Sequence, residues 1–285
     1  MRVLVTGASG YVGQAVVRAL AAAGHQPIGL VHRVASSDLG GITWRRGDVL
    51  DVPSLRAAVD GVDAVVHLVA LANVRESFEH PTRYYRVNVG GTTNVLDALA
   101  DQVGPARLVL ASTASVYGSP ARQPITEDTL PDPNNPYAAS KLAAEQAVAW
   151  QTRAGRLGAV TLRLFNVAGA VGEQGDQDDT RVITRACAVA SGRVAGLDIY
   201  GDGSAVRDFV HVADVARAFV LALDTCRWGD YRVFNVGATP ATVNEIVAVT
   251  ESVARRPVPV TRHPAHPGEV REMRAATERI RRELG

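Results

Sequence analysis

Val3-Leu4-Val5-Thr6-Gly7-Ala8-Ser9-Gly10-Tyr11-Val12-Gly13 decides the fold of this chain. An apolar, β-branched run ends at Thr6, glycines follow at positions 7, 10 and 13, and an alanine-rich stretch of helical character runs on from Val12. Glycines placed between a strand and a helix allow a tight turn, close approach of backbone N–H groups to a pyrophosphate, and tight helix–strand packing. The dipole of the helix that follows favours negative charge at the same point. Gly7, Ser9, Gly10, Tyr11, Val12 and Gly13 are therefore expected to hold a dinucleotide. Glycines also mark purely structural turns, and it is the flanking strand and helix that favour the ligand.

Outward from this loop, short apolar runs alternate with helical stretches. Strands are expected at 26–31, 42–46, 64–68, 107–112 and 159–164, and helices near 54–59, within 83–99 and at 137–154. Continuous apolar strands joined by helices imply an α/β fold, a doubly wound parallel sheet of Rossmann type covered on both faces. A Gly- and Asp-rich stretch, 169–179, then breaks the pattern and is expected to be a mobile surface loop. The remaining segments suit a smaller C-terminal substrate-binding lobe. Residues 1–165 plus about 208–236 are assigned to the dinucleotide-binding domain, and about 166–207 and 237–285 to the lobe.

Composition narrows the function classes. The 285 residues are 47% hydrophobic and 21% charged, which excludes a disulfide miniprotein or a disordered chain. Thirty basic against 29 acidic side chains leave a formal charge of +1, so neither nucleic acid nor a membrane surface is an expected partner. Cys187 and Cys226 fall in no metal-ligand or redox spacing, which suits a reducing cytoplasm. His263 and His266 lack a third ligand at a suitable spacing, and no metal is expected. No cleavable leader is read at Met1-Arg2, and no apolar run approaches the roughly 18 residues that span a bilayer. The protein is therefore expected in the cytoplasm.

One lysine occurs in the whole chain, Lys141, among 29 arginines. It stands four residues after Tyr137 in Tyr137-Ala138-Ala139-Ser140-Lys141, on the same face of the expected helix. A phenol that serves as a base at neutral pH needs its anion stabilised by roughly 3 pH units, or about 4 kcal/mol. An ammonium at about 4 Å supplies energy of that order at an effective dielectric near 20. Lysine also reaches ribose hydroxyls as a compact charge, which arginine's planar fork does not. Upstream, the strand ending near Ser112 delivers Thr113 to the carboxyl edge of the sheet, where its hydroxyl can orient a reacting oxygen or form a turn.

The second strand ends Leu30-Val31-His32-Arg33. An acid at this place binds the ribose of NAD, whereas an arginine accommodates the 2′-phosphate of NADP. Without an acid at Val31 the cofactor is read as NAD(P), with NADP favoured slightly over NAD and His32 and Arg33 as its contacts. The alternative leaves Arg33 stacked on adenine or in solvent. Asp48, beside Val49, either accepts from the adenine amino group or caps its own loop.

The glycine loop, the Thr113 segment and Tyr137-x-x-x-Lys141 together resemble the extended short-chain dehydrogenase/reductase superfamily. Within it the chain is similar to the NAD-dependent epimerase/dehydratase family, in the branch of the UDP-glucose 4-epimerases. The likeness extends through Val65-Val66-His67-Leu68-Val69-Ala70, Asn88, Arg163-Leu164-Phe165-Asn166 and Phe234-Asn235-Val236-Gly237. It implies a nucleotide-sugar 4-epimerase in which Tyr137 is the acid/base, Lys141 lowers its pKa and holds the ribose, and Thr113 contacts the sugar O4. It adds Leu68, Val69, Ala70, Asn88 and Ser112 to the cofactor contacts. Ser115, Asn166, Arg181, Arg207 and His266 join Thr113 as substrate contacts, Arg207 as a bidentate clamp on the diphosphate or, alternatively, as an ion-pair partner of Asp208.

Two departures matter. The acid pair that dehydratases carry after the threonine is replaced by Ala114-Ser115, which argues against dehydration. His266 stands where a second diphosphate-binding arginine is expected, which leaves the sugar and the nucleotide open. An NADPH-dependent reductase of nucleotide-bound 4-keto sugars would use the same residues, and a non-catalytic dinucleotide sensor would use the same fold. Helices flanking Tyr137, with 83–99, are expected to pair in a homodimer.

Overall fold

The computed structural model describes residues 1–32, 42–102, 106–265 and 270–285. Seven strands form one parallel sheet in the spatial order Tyr231–Val236, Gly158–Leu164, Arg107–Thr113, Ala64–His67, Arg2–Thr6, Gln26–Val31, Thr43–Arg46. Chain order reverses next to Arg2–Thr6, which is the switch point where such sheets bind ligands.

The side chains of each strand divide between two cores because successive residues point to opposite faces. Val3, Val5, Val66, Val109 and Val160 pack with helices Tyr11–Ala22 and Val212–Thr225 on one face. Leu4, Val65, Leu108, Leu110 and Ala159 pack with Val52–Val59, Gly91–Ala100 and Val148 on the other. Neither face meets water, so the strands read as unbroken apolar runs rather than alternating ones.

The expected elements appear with shifted ends. The helix expected near 54–59 begins at Val52, because Asp51 caps it by accepting from the Ser54 N–H and Pro53 needs no donor in the first turn. The helix expected within 83–99 is Gly91–Ala100, and Pro81–Tyr84 and a π-helical segment, Tyr85–Gly90, lead into it. The catalytic-candidate helix spans Pro136–Arg153, capped by Asn135, whose side chain accepts from Ala138 N at 2.8 Å.

A smaller sheet stands on the carboxyl side. Strand Val206–His211 pairs with Asn166–Ala168, Thr239–Thr242 and Glu272–Met273, and a separate pair joins Leu197–Tyr200 to Val260–His263. The stretch 169–179 is built rather than featureless: Ala170–Val171 and Gln174–Gly175 form a small antiparallel pair, and Arg181 binds both Asp176 and Asp178. Among the described residues, no helix is long and apolar enough to cross a membrane.

Candidate active site

Parallel register brings the strand ends Thr6, His67 and Thr113 to one edge of the sheet. The segments that follow them, 7–13, 68–72 and 114–118, therefore line one crevice. In the first, Gly7 has φ 71°, and a Cβ on Gly13 would lie 2.0 Å from the Gly7 carbonyl oxygen. Only glycine fits that crossing. Gly10 is the N-cap of helix Tyr11–Ala22, and no side chain among the described residues caps it. The free N–H groups of this first turn, with Ser9 and Gly10 exposed before them, fit a pyrophosphate.

Behind the loop, Thr6 Oγ1 accepts from Leu68 N at 3.1 Å and Val69 N at 3.2 Å. Its single hydrogen therefore goes to His67 Nδ1, 2.8 Å away, so the proton of the neutral ring sits on Nε2, which donates to Thr92 Oγ1 at 3.2 Å. Thr92 passes its own hydrogen to Asn88 O at 2.6 Å. Burial, aided by the charge of Lys141, pushes the imidazole down to about 3.

Tyr137 and Lys141 share the inward face of helix Pro136–Arg153. The Thr113 hydroxyl faces the Tyr137 phenol and draws it down. Thr113 also donates to Ser115 Oγ at 3.2 Å and accepts from Ser115 N at 3.1 Å, which caps the turn Ala114–Tyr117. Edge-on to the Tyr137 ring lies the buried Tyr84, centroids 6.4 Å apart, with its hydroxyl donated to Asn73 O at 2.6 Å. Burial raises the Tyr137 phenol above its ordinary value, against the pull of the Thr113 hydroxyl and the Arg181 guanidinium. The sequence suggested Lys141 as the group that lowers this phenol. Arg181 is a further cation that pulls the phenol down, and Lys141, 3% exposed, is itself pushed down to about 8 by burial.

Several of the expected cofactor contacts also have protein partners. Asn88 is buried, accepts from Leu71 N at 2.8 Å, and donates to Leu71 O at 3.0 Å and to Ser140 Oγ at 2.9 Å. Its amide fastens helix Pro136–Arg153 to the loop after Ala64–His67. The Ser112 hydroxyl is donated to Glu145. His32 Nε2 stands 3.2 Å from Asp48 Oδ2, while Asp48 Oδ1 accepts from Leu50 N at 2.9 Å. Val49, next to it, is buried in the core. Arg33 and His266 lie outside the described residues.

The C-terminal elements close the other wall. Tyr11 in the glycine loop donates to Gly169 O at 2.8 Å. Asn166 donates to Asp208 O at 3.1 Å, and Arg207 stands next to it on Val206–His211. The Asp208 carboxylate accepts from Ala238 N at 2.6 Å and Ala275 N at 3.0 Å. A polar cleft of about 510 Å³ opens between Ala72, Asn73 and Arg75 on one side and Asp178, Arg181 and Tyr200 on the other. Sequence reasoning gave no role to Tyr84, Glu145, Arg163, Tyr117 or Asn235. Only Glu145 carried a readable signal, since Lys141-x-x-x-Glu145 repeats the spacing of Tyr137 and Lys141.

Known proteins are similar to this chain in sequence and structure from end to end. A UDP-glucose 4-epimerase of Corynebacterium glutamicum is 35% identical over 298 residues, covering all of this chain and 90% of its own length. The crystal structure of a UDP-glucose 4-epimerase from Stenotrophomonas maltophila, with bound NAD and formylated UDP-arabinopyranose, superposes with a TM-score of 0.92 at 31% identity over all of this chain and 92% of its own. That of the Brucella ovis UDP-glucose 4-epimerase in complex with NAD gives 0.92 at 34% identity, again covering all of this chain and 92% of the other. Residues 3–237 match the model of one family, and with the glycine loop and the Tyr137–Lys141 helix in place the chain belongs to it: the NAD-dependent epimerase/dehydratase family.

Proposed function

We propose that this chain is an NAD(P)-dependent nucleotide-sugar 4-epimerase working through a transient 4-keto sugar. The observation that carries the reading is the placement of Tyr137 and Lys141 on one helix, with Tyr137 against Thr113 at the carboxyl edge, beside the uncapped glycine loop. Tyr137 Oη takes the proton of the sugar C4 hydroxyl as that carbon gives up its hydrogen, and returns a proton once the 4-keto sugar has turned over. Thr113 orients O4. Lys141 keeps positive charge beside the ribose end of the crevice. Bound NAD(P)⁺ supplies the hydride acceptor and donor together with a positively charged ring. With the phenol raised by burial, every nearby cation assists its ionisation, and Arg181 is placed to do so.

Asn166, Arg181 and Arg207 are assigned to the nucleotide diphosphate and sugar, and Ser115 to the sugar beside Thr113. The C-terminal elements thus form the substrate-binding lobe. Between the two coenzymes, the missing acid at Val31 favours NADP by charge, while Asp48 competes with a 2′-phosphate for His32. A mass spectrum of the nucleotide that copurifies decides between them. Exposed Trp150 and Tyr85, on the two helices that pack beside the site, are assigned to a homodimer interface. Two unpaired cysteines suit a reducing cytoplasm.

The reading is tested by incubating the purified protein with UDP-galactose, UDP-N-acetylgalactosamine and dTDP-sugars without added reductant. C4 inversion of at least one is expected. Inversion of none, or consumption of NADPH in proportion to product from a 4-keto sugar, would overturn it.

A further inference from the structure

Beneath the catalytic helix lies a buried ionic group that the reaction above leaves unused. Tyr137, Lys141 and Glu145 follow one another at four-residue spacing on one face of Pro136–Arg153. Lys141 and Glu145 are each 3% exposed. Arg163 reaches Glu145 from strand Gly158–Leu164, with Nη2 at 2.7 Å from Oε2 and Nε at 3.1 and 3.2 Å from the two oxygens. The Ser112 hydroxyl donates to the same carboxylate. Ser112 and Arg163 are register partners on adjacent strands, and Ser112 immediately precedes Thr113. Arg163 Nη1 donates to Tyr117 Oη at 2.8 Å, and Tyr117 donates to Asn235 Oδ1 at 2.8 Å.

A bidentate arginine already neutralises this carboxylate, and an ion pair needs no second cation. Lys141 does need a partner. A fully buried ammonium without a counter-charge loses its proton, and a neutral lysine is of no electrostatic use to a phenol. Among the described residues, Tyr137 and Glu145 stand one helical turn to either side of Lys141 on the same face of its helix, and His67 on Ala64–His67 feels its charge. The titratable groups facing Glu145 are Arg163, Tyr117 and Tyr231. Glu145 alone of these offers negative charge to the ammonium.

We propose that Glu145 is a positioning residue for the reaction: its carboxylate, pinned by Arg163 and Ser112, holds Lys141 as an ammonium on the face of the helix that carries Tyr137. The inference rests on the catalytic reading of Tyr137 and Lys141, and its test keeps the two apart. Burial takes Lys141 to about 8, and Glu145 opposes that fall.

Because Lys141 is the only lysine in the chain, protein grown on [ε-¹³C]lysine shows a single side-chain resonance whose titration reports this group directly. The full chain is compared with Glu145→Gln/Arg163→Met, which replaces the ion pair by neutral groups of similar length, with Arg163→Met, and with Glu145→Asp. The midpoint is expected to fall by about one pH unit or more in the double variant, to rise in Arg163→Met as the carboxylate turns wholly to the ammonium, and to stay near wild type in Glu145→Asp. The basic limb of the kcat profile is expected to move in the same directions. A merely structural Glu145 would change melting temperature and leave these midpoints alone. The proposal is overturned by one midpoint common to all four proteins, or by opposite displacements. Should the double variant fail to fold, the rise in Arg163→Met supports the proposal and its absence overturns it. If the resonance moves as expected while wild-type protein inverts no nucleotide sugar, the epimerase reading fails and the Glu145–Lys141 coupling stands.

Discussion

Asn88 Nδ2 donates to Ser140 Oγ at 2.9 Å, and Ser140 donates in turn to Tyr137 O at 2.7 Å. The backbone of the candidate acid/base is thereby fastened to the π-helical segment Tyr85–Gly90, where Asn88 sits, and through Leu71 to the loop that follows strand Ala64–His67.

Replacing Asn88 by Ala leaves Leu71 N without its buried acceptor and frees the Ser140 hydroxyl. A loss of about 1–3 kcal/mol is expected by urea unfolding. A fall in kcat of at least about tenfold is expected as well, because misplacing a reacting group is costly even when the fold survives. An Asn88→Ala protein with wild-type kcat would show that the link does not position Tyr137.

Tyr137→Phe is expected to lower kcat by about 10²–10⁴-fold while nucleotide binding, followed by calorimetry with UDP, stays within about threefold. Thr113→Val removes the hydroxyl that meets Tyr137 and also uncaps Ser115 N. Thr113→Ser keeps the hydroxyl beside Tyr137 and the cap on Ser115 N. Activity is therefore expected to order wild type, Thr113→Ser, Thr113→Val, Tyr137→Phe, each below the one before.

His67 gives the fold a pH dependence whose sign is fixed. Its native imidazole stays neutral down to about 3, whereas the unfolded chain protonates it near 6.5. Above 6.5 both states are neutral and the group has no effect. As pH falls from 6.5 towards 3 the unfolded state binds the extra proton, so stability declines by up to about 1.4 kcal/mol per pH unit. Urea midpoints of His67→Gln, measured between pH 4 and 7, are expected to fall less steeply than those of wild type.

Gly13→Ala places a methyl 2.0 Å from Gly7 O, whereas Gly10→Ala places one 3.3 Å from the same oxygen. The first is expected to cost about 3 kcal/mol or more and to abolish coenzyme retention. The second is expected to be milder by thermal unfolding, with retention, read by native mass spectrometry, reduced rather than lost. Equal losses in the two variants would contradict the crossing described above.

Local spacing carried what the sequence by itself determined. The strand, three glycines and helix at the N-terminus lie within a few residues of each other, so the turn chemistry is written contiguously. Tyr137 and Lys141 lie one helical turn apart, so their common face follows from 3.6 residues per turn. The doubly buried strands were legible for the same reason. Asn88 with Ser140, Ser112 with Glu145, and Arg163 with Tyr117 are separated by 52, 33 and 46 positions. No periodicity links residues so far apart. Their partnerships arise only when parallel strands set a register and helices choose a face, and the protein interior then requires every buried polar group to find a partner. Tertiary structure alone therefore decided that Asn88 and Ser112 bond to protein partners, that Arg181 adds its charge to the phenol's surroundings, and that Glu145, one turn beyond the lone lysine, is pinned by Arg163 and Ser112.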